Sequence, residues 1–178
     1  MLTAGFTEKP AARFGDGFWE EHRFWVREGT TDLAADSAGN AWIGTRGNGL
    51  WRLSNGVLSN YDEKNSTLRA DRDTVGPGVT WVFVHGLATD GRYLYVACYR
   101  DFVGYPVGIA DLDKVDDISG WDSLGADDGL DATFAVSIDL HDGNLAVGSE
   151  TKGVYVCHVG DEPFLRPVSY THLTLPTN

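Results

Sequence analysis

The chain has 178 residues, of which 42% are hydrophobic and 12% aromatic, and its formal net charge is −12. A surface this acidic repels phosphate, so the composition argues against nucleic acid and against an anionic membrane face as partners. The 22 glycines, the single methionine and the short apolar runs broken by Gly, Asn and Asp predict many tight turns and an all-β fold in one ordinary domain.

The N-terminal segment, residues 1–30, has no basic region followed by an apolar run, so no signal peptide is predicted in this chain. No stretch approaches 18 consecutive apolar residues, so this segment is not expected to insert into a membrane. One strand is predicted at residues 18–26. Its sequence is typical of the outer strand of a four-stranded unit that precedes the first complete one.

Residues 31–78 form the first predicted unit of four short antiparallel strands. Asn55-Gly56 joins the last two strands and is a signal for a type I′ turn, which needs positive φ at both central residues. The predicted strands are Thr31–Asp36, Ala41–Thr45, Gly49–Leu53 and Val57–Tyr61.

The unit repeats along the chain. Its turn glycines are Gly39, Gly91 and Gly143, which are 52 residues apart (91 − 39 and 143 − 91). The second unit is predicted at residues 79–130 and a third, incomplete one at residues 131–167. A period of about 50 residues with four strands is typical of a β-propeller blade.

The middle copy departs most from the pattern. With the turn glycines aligned, Val96 stands where the other two copies have Gly44 and Gly148. Asp90-Gly91 and Asp142-Gly143 are predicted to form the same type of hairpin turn as Asn55-Gly56, here between the first and second strands of the later copies.

The apolar runs predict the core. Cys98 and Cys157 fit no CxxC or disulfide pattern and are expected to be buried free thiols. Four tryptophans in strand-like runs are expected to pack between blades rather than to form a platform for carbohydrate: Trp42, Trp51, Trp81 and Trp121.

The segment DSAGNAWIGTRGNGLWRL, from Asp36, resembles the repeat of the two-component regulator propeller family. The matching residues are Asp36, Gly39, Asn40, Trp42, Gly44, Thr45, Gly49, Leu50 and Trp51. The resemblance covers about residues 18–160 and implies a β-propeller fragment of about three four-stranded blades plus an extra N-terminal strand. Because propellers have four to eight blades, the ring is not expected to close.

In that family, such blades form extracytoplasmic sensory regions of bacterial signalling receptors, which bind ligands or mediate dimer assembly. The compartment of this chain rests on the resemblance alone. DSAGNAW also resembles the Asp-box turn of sialidase-type propellers, in which the Asp accepts backbone hydrogen bonds and shapes the hairpin.

The last residues, VSYTHLTLPTN at 168–178, do not fit the repeat. They resemble the read-through ending of truncated open reading frames and are set apart from the fold. An ordinary polar tail is the alternative.

No motif predicts catalysis, a metal or a cofactor. The five histidines show no HExxH spacing, and DLDKVDD from Asp111 fails as a calcium loop because Val115 occupies a ligand position. GxSxG and GxxxxGK[ST] motifs are missing from the sequence.

Propeller topology places the loop between the second and third strands of each blade on the face that usually binds ligands. These loops are short at 46–48 and 150–152 but long at Tyr99–Val107, and aromatic residues with Arg suit recognition. Phe102 and Tyr105 could instead fold over a neighbouring blade. The candidate binding residues are Arg46, Asn48, Tyr99, Arg100, Asp101, Phe102, Tyr105, Glu150 and Lys152.

The leading functional prediction is a non-catalytic module that binds a small molecule, such as a glycan, or a protein, and belongs to the sensory part of a bacterial signalling protein. One alternative is a fragment of a propeller enzyme, either a sialidase-like hydrolase or a lyase. The other is a structural propeller that forms homo-oligomers through blade faces or edges.

Overall fold

The computed structural model describes residues 7–15, 18–26, 29–70, 81–99, 104–132, 134–159 and 169–173. In these ranges the fold is all-β, and the only helical turns are the 3-10 helices Ile118–Gly120 and Ala126–Asp128. No helix in the described ranges is long and apolar enough to span a membrane.

Within the described ranges, fourteen antiparallel strands form one hairpin and three groups of four. The hairpin pairs β1 (Thr7–Gly15) with β2 (Phe18–Val26). Sheet I contains β3 (Thr30–Ala35), β4 (Ala41–Gly47), β5 (Leu50–Ser54) and β6 (Val57–Tyr61). Sheet II contains β7 (Val82–Thr89), β8 (Tyr93–Cys98), β9 (Val107–Asp111) and β10 (Trp121–Leu124). Sheet III contains β11 (Ala135–His141), β12 (Asn144–Ser149), β13 (Gly153–His158) and β14 (Ser169–Leu173).

Sheet I has the four strands predicted for the first repeat, but its second strand is longer than expected. β4 runs through Arg46 to Gly47, because these two residues pair with Phe83 and Val82 at the start of β7. Arg46 therefore lies in a strand and not in the predicted loop. This short pairing joins sheets I and II into one curled antiparallel sheet.

Two of the three predicted turns have the expected backbone. Asn55-Gly56 has φ values of 47° and 80°, and Asp142-Gly143 has 49° and 70°, as a type I′ turn requires. The turn at Asp90-Gly91 differs, since only Gly91 has positive φ, at 92°. There the loop has a third residue, Arg92, and the Asp90 carboxylate accepts hydrogen bonds from the N–H groups of Arg92 (2.8 Å) and Tyr93 (2.6 Å).

The strand pairing corrects the alignment of the middle predicted repeat. A β-bulge interrupts the pairing of the first two strands in every sheet, and the next pairs are Asp32–Gly44, Gly86–Ala97 and Ser137–Gly148. Ala97, rather than Val96, therefore occupies the position of the two glycines. The middle copy has one more residue between its turn glycine and this position (97 − 91 = 6, against 44 − 39 = 5 and 148 − 143 = 5), so aligning the turn glycines put Val96 in the place of Ala97.

Asp36 organises the turn between β3 and β4 as its resemblance to an Asp-box predicts. Its carboxylate accepts hydrogen bonds from the N–H groups of Ala38 (3.0 Å) and Asn40 (2.9 Å), and from the indole Nε1 of Trp42 (2.9 Å). Burial raises the pKa of Asp36, but a hydrogen bond from the side-chain amide of Asn40 (2.8 Å) and the bonds just named outweigh burial and bring the pKa below its ordinary value. The charged carboxylate thus fixes both the turn and the adjoining core tryptophan.

Two apolar clusters fill the spaces between neighbouring sheets. Trp42 and Trp121 are buried in the cluster between sheets I and II, while Tyr95 belongs to the cluster between sheets II and III. Trp51 packs against Ile43 on the other side of sheet I. Trp42 and Trp121 thus pack between sheets, as predicted, whereas Trp51 is only partly buried and does not lie between sheets I and II.

A charged group links sheet I to the segment between β9 and β10. Asp116 accepts hydrogen bonds from the guanidinium Nη2 of Arg52 (2.9 and 3.0 Å) and from the hydroxyl of Tyr61 (2.6 Å). The hydrogen bond from Tyr61 and the adjacent Arg52 lower the pKa of Asp116, although partial burial opposes them. The contact holds the two sheets together at their outer strands.

Both cysteines are free and buried, as predicted. Burial raises the pKa of the Cys157 thiol to about 12, so this group stays protonated and unreactive at neutral pH. We expect neither thiol to react with Ellman's reagent in the native protein and both to react in denaturant. The reaction is followed by the absorbance of the coloured thiolate that Ellman's reagent releases. Rapid reaction of one cysteine without denaturant would show that the strand carrying it opens locally.

Two predictions concern segments towards the two ends of the sequence. Residues 18–26 form a strand, as predicted, and it pairs with β1. Ser169–Leu173, within the segment that was set apart, pairs with β13 as the fourth strand of sheet III.

Candidate functional site

The second strands of the three sheets end close together. Arg46 lies at the end of β4, Tyr99 directly follows β8, and Glu150 directly follows β12. Three of the predicted binding residues therefore occupy equivalent positions in the three sheets, each two residues beyond Gly44, Ala97 or Gly148. Their side chains meet around the first residues of β7 and the residue before β11.

Four rings occupy this position and form what we call the ring cluster: Phe83, His85, Tyr99 and Phe134. Tyr99 is central, with its ring centroid 5.1 Å from Phe83, 5.8 Å from His85 and 5.2 Å from Phe134. The Arg46 guanidinium lies over the Phe83 ring, 4.9 Å from its centroid. The rings are half-buried and Arg46 is exposed, so the cluster presents aromatic surface and a cation to solvent.

Hydrogen bonds hold Tyr99 between sheets II and III. Its backbone N–H donates to the Phe83 carbonyl (2.9 Å), and its hydroxyl donates to Glu150 Oε2 (2.9 Å). The backbone N–H of Glu150 in turn donates to the carbonyl of Phe134 (3.1 Å). The ring of Tyr99 is thus fixed at both ends, which lowers the entropy cost of using it in recognition.

Sequence reasoning missed Phe83, His85 and Phe134. His85 is the extra residue of the bulge in β7, between Val84 and Gly86, and bulges redirect side chains near functional sites. Phe83 and Phe134 lie on or next to the first strands of sheets II and III, at the end where the connections between sheets arrive. Searching those connections as well as the loops would have found both.

The other predicted residues have separate roles or lie outside the described ranges. The Asn48 carbonyl accepts a hydrogen bond from Asn60 Nδ2 (2.8 Å) and Asn48 bridges to Val82, so it holds the joint between sheets I and II. The candidates outside the described ranges are Arg100, Asp101 and Phe102.

Tyr105 and Lys152 contact the segment between β10 and β11 instead of the ring cluster. The Tyr105 hydroxyl donates to Asp127 Oδ2 (2.7 Å), and the Lys152 ammonium pairs with the Asp131 carboxylate. This carboxylate raises the pKa of Lys152. Both residues thus border the connection from sheet II to sheet III.

The chemistry of the ring cluster suits binding. Its rings offer faces for stacking, and the guanidinium of Arg46 and the carboxylate of Glu150 lie beside them. The facing pair of carboxyl groups that most glycoside hydrolases use is not formed within the cluster, where the Glu150 carboxylate accepts a hydrogen bond from the hydroxyl of Tyr99. Among the described residues, no group of three or more His, Cys, Asp or Glu side chains could hold a metal ion.

No protein-family model and no curated protein matches the sequence. Among solved structures, the chain is similar to PorZ, an essential bacterial surface component of the type-IX secretion system of Porphyromonas gingivalis. The TM-score is 0.59 at 16% sequence identity, over 97% of this chain and 26% of PorZ. The chain therefore spans about a quarter of the length of PorZ. At this identity the likeness concerns the fold alone, and what it supports is an all-β, curled antiparallel architecture.

Proposed function

We propose that this chain is a non-catalytic binding module built from β-propeller blades, with the ring cluster as its recognition surface, and that it serves the sensory part of a bacterial signalling protein. The observation that carries the binding role is the meeting of Arg46, Tyr99 and Glu150 around one aromatic cluster. The signalling role rests on the resemblance of the Asp36–Leu53 segment to the two-component regulator propeller repeat.

The arrangement of the first strands supports a propeller. β7 packs beside both β3 and β11, so the first strands of the three sheets are neighbours, as inner strands around a propeller axis would be. The Thr31 hydroxyl donates to the carbonyl of Val84 (2.6 Å), and Gly86 leaves room for Ile138. Each sheet thus contacts the next through small or hydrogen-bonded groups near that axis.

The position of the ring cluster supports recognition. It lies at the end of the sheets that carries both the loops between second and third strands and the connections between sheets. In a propeller this end carries the variable loops, and loops on a rigid scaffold commonly hold binding residues. A ligand with flat apolar faces and an anionic or hydroxyl group, such as a glycan, would match the rings and Arg46.

Replacing Arg46 by alanine should abolish binding with little effect on the fold. The side chain is exposed and its stacking on Phe83 is worth about 0.5–1 kcal/mol. Tyr99→Ala should have the same effect on binding, at a greater cost in stability. The measurement is binding of the wild-type and variant chains to a glycan microarray, with thermal midpoints recorded in parallel.

Arg92→Ala is the matched control. Arg92 is also exposed and also lies 4.9 Å from a ring centroid, that of Tyr93, but at the opposite end of β8. We expect it to bind every glycan that the wild type binds. Binding that survives in both Arg46→Ala and Tyr99→Ala would place recognition elsewhere on the chain.

The signalling role is tested by sequencing the complete open reading frame. Further repeats of about 50 residues that lead into a transmembrane helix and a histidine-kinase module would support it. A frame that closes after six to eight blades, with an export signal and nothing else, would refute the signalling role and leave the binding role standing.

A further inference from the structure

The chain contains the dipeptide Asn-Gly twice, at Asn48-Gly49 between β4 and β5 and at Asn55-Gly56 between β5 and β6. An asparagine in this dipeptide can lose ammonia without an enzyme, because the backbone nitrogen of the glycine attacks the side-chain amide of the asparagine. Glycine favours this attack, since it has no side chain to hinder it and its backbone rotates freely. The two dipeptides have the same intrinsic chemistry, so local structure decides which of them reacts.

Hydrogen bonds on both residues hold Asn48-Gly49 in place. The N–H of Gly49, which contains the attacking nitrogen, donates to the carbonyl of Val82 (2.9 Å), and the carbonyl of Gly49 accepts from the Thr45 hydroxyl (2.7 Å). The Asn48 N–H donates to the same hydroxyl (3.2 Å), and the Asn48 carbonyl accepts from Asn60 Nδ2 (2.8 Å). The peptide groups around this dipeptide can therefore rotate only when several hydrogen bonds open together.

Asn55-Gly56 lies at the exposed end of the hairpin formed by β5 and β6. Both residues are exposed, and Val57 after them is 64% exposed. In the part of the chain that the structure describes, no hydrogen bond involves the Asn55 side chain or the Gly56 N–H. The nearest strand residues, Ser54 and Val57, pair with each other across the turn. The turn can therefore rotate, and the Gly56 nitrogen can attack, without breaking a hydrogen bond of its own.

We infer that Asn55 is a site of spontaneous deamidation and that the structure protects Asn48. At Asn55, the Gly56 nitrogen loses its proton and bonds to Cγ, and Nδ2 leaves as ammonia. Water then opens the resulting succinimide ring at either of its carbonyls, which gives aspartate or isoaspartate. The reaction consumes water, releases ammonia and involves no oxidation, so it needs no metal, cofactor or partner.

Isoaspartate changes the hairpin, because the side-chain methylene of residue 55 becomes part of the backbone. A two-residue type I′ turn fixes the pairing of its strands, so a longer backbone shifts β6. β6 ends at Tyr61, whose hydroxyl donates to Asp116 (2.6 Å) and whose ring centroid lies 5.7 Å from that of Trp42. Isoaspartate at this turn thus weakens the contacts of sheet I with the segment between β9 and β10, and it lowers the thermal midpoint.

The experiment is peptide mapping by mass spectrometry after incubation of the chain at mildly alkaline pH, both folded and in urea. Trypsin cleaves after Arg46, Arg52 and Lys64, so the two asparagines fall in separate peptides. In the folded chain, Asn55 should deamidate about 10-fold faster than Asn48 or more, because several hydrogen bonds must open at Asn48. In urea these hydrogen bonds are lost, and the two rates should become similar.

Two variants separate the causes. Asn60→Ala removes the hydrogen bond to the Asn48 carbonyl, so the rate at Asn48 should rise about 5-fold while the rate at Asn55 is unchanged. Asn55→Asp adds the charge without lengthening the backbone, because Asp-Gly also forms a type I′ turn. Its thermal midpoint by circular dichroism should match that of the fresh chain, whereas chain that carries isoaspartate should unfold at a lower temperature.

Equal rates in the folded chain, a faster reaction at Asn48, or no reaction at Asn55 would each overturn the inference. The comparison of folded and urea-unfolded protein uses the wild-type chain alone, so it stands even where a variant fails to fold. A chain that carries isoaspartate and unfolds at the same temperature as the fresh chain would refute the effect on sheet I.

Discussion

Trp42→Ala is expected to lower the free energy of unfolding by about 3–5 kcal/mol, the range for removing a large aromatic side chain from a core. Trp42 is completely buried between sheets I and II, with its ring centroid 5.7 Å from that of Tyr61. Its indole N–H also donates to Asp36 (2.9 Å), so alanine would remove both packing and a hydrogen bond to a charged carboxylate. Urea denaturation followed by circular dichroism measures the change.

Trp42→Phe separates the two contributions. Phenylalanine keeps most of the buried ring and removes only the N–H donor, so we expect a loss of about 1.5–3 kcal/mol, that of a hydrogen bond to a charged group. If Trp42→Phe lowered the free energy of unfolding as much as Trp42→Ala, the hydrogen bond to Asp36 would contribute more to stability than the packing of the ring. An alanine variant as stable as the wild type would contradict the core assigned to sheet I.

Gly49→Ala should destabilise the chain by about 3 kcal/mol or more. Gly49 has φ of 70°, where an L-residue is strained by about 1–2 kcal/mol, and an added Cβ would lie 2.2 Å from the carbonyl oxygen of Tyr61. The backbone must move to relieve that contact, yet the N–H of Gly49 is bonded to the carbonyl of Val82 (2.9 Å). The joint between sheets I and II should therefore loosen with the turn.

Gly39→Ala is the matched control for this prediction. Gly39 has φ of 82°, but an added Cβ would meet nothing within 4 Å. We expect Gly39→Ala to lower the free energy of unfolding by about 1–2 kcal/mol in urea denaturation, from backbone strain alone. Equal losses in the free energy of unfolding for Gly39→Ala and Gly49→Ala would mean that the backbone relieves the contact between the added Cβ and Tyr61 without a loss of stability.

The ring cluster was only partly predictable. The predicted loops between second and third strands, and their composition, identified Arg46, Tyr99 and Glu150, although Arg46 lies at the end of β4 and not in a loop. Phe83 and His85 were not predictable from loop length, because a bulge in β7 determines where His85 points. A bulge depends on how two strands pair, and pairing is a long-range property of the chain.

Local chemistry in the sequence was enough to predict the strands of sheet I, the turns at Asn55-Gly56 and Asp142-Gly143 and the all-β class, and the resemblance to an Asp-box implied the backbone hydrogen bonds of Asp36. Each depends on residues only a few positions apart, whose φ preferences or side chains act on their own backbone. Tertiary structure alone decided the extension of β4 into Arg46, the equivalence of Ala97 with Gly44 and Gly148, and the hydrogen bonding that separates Asn48-Gly49 from Asn55-Gly56. These features depend on which strand or sheet lies alongside, and a sequence pattern that recurs along the chain cannot show which copy a neighbouring strand holds.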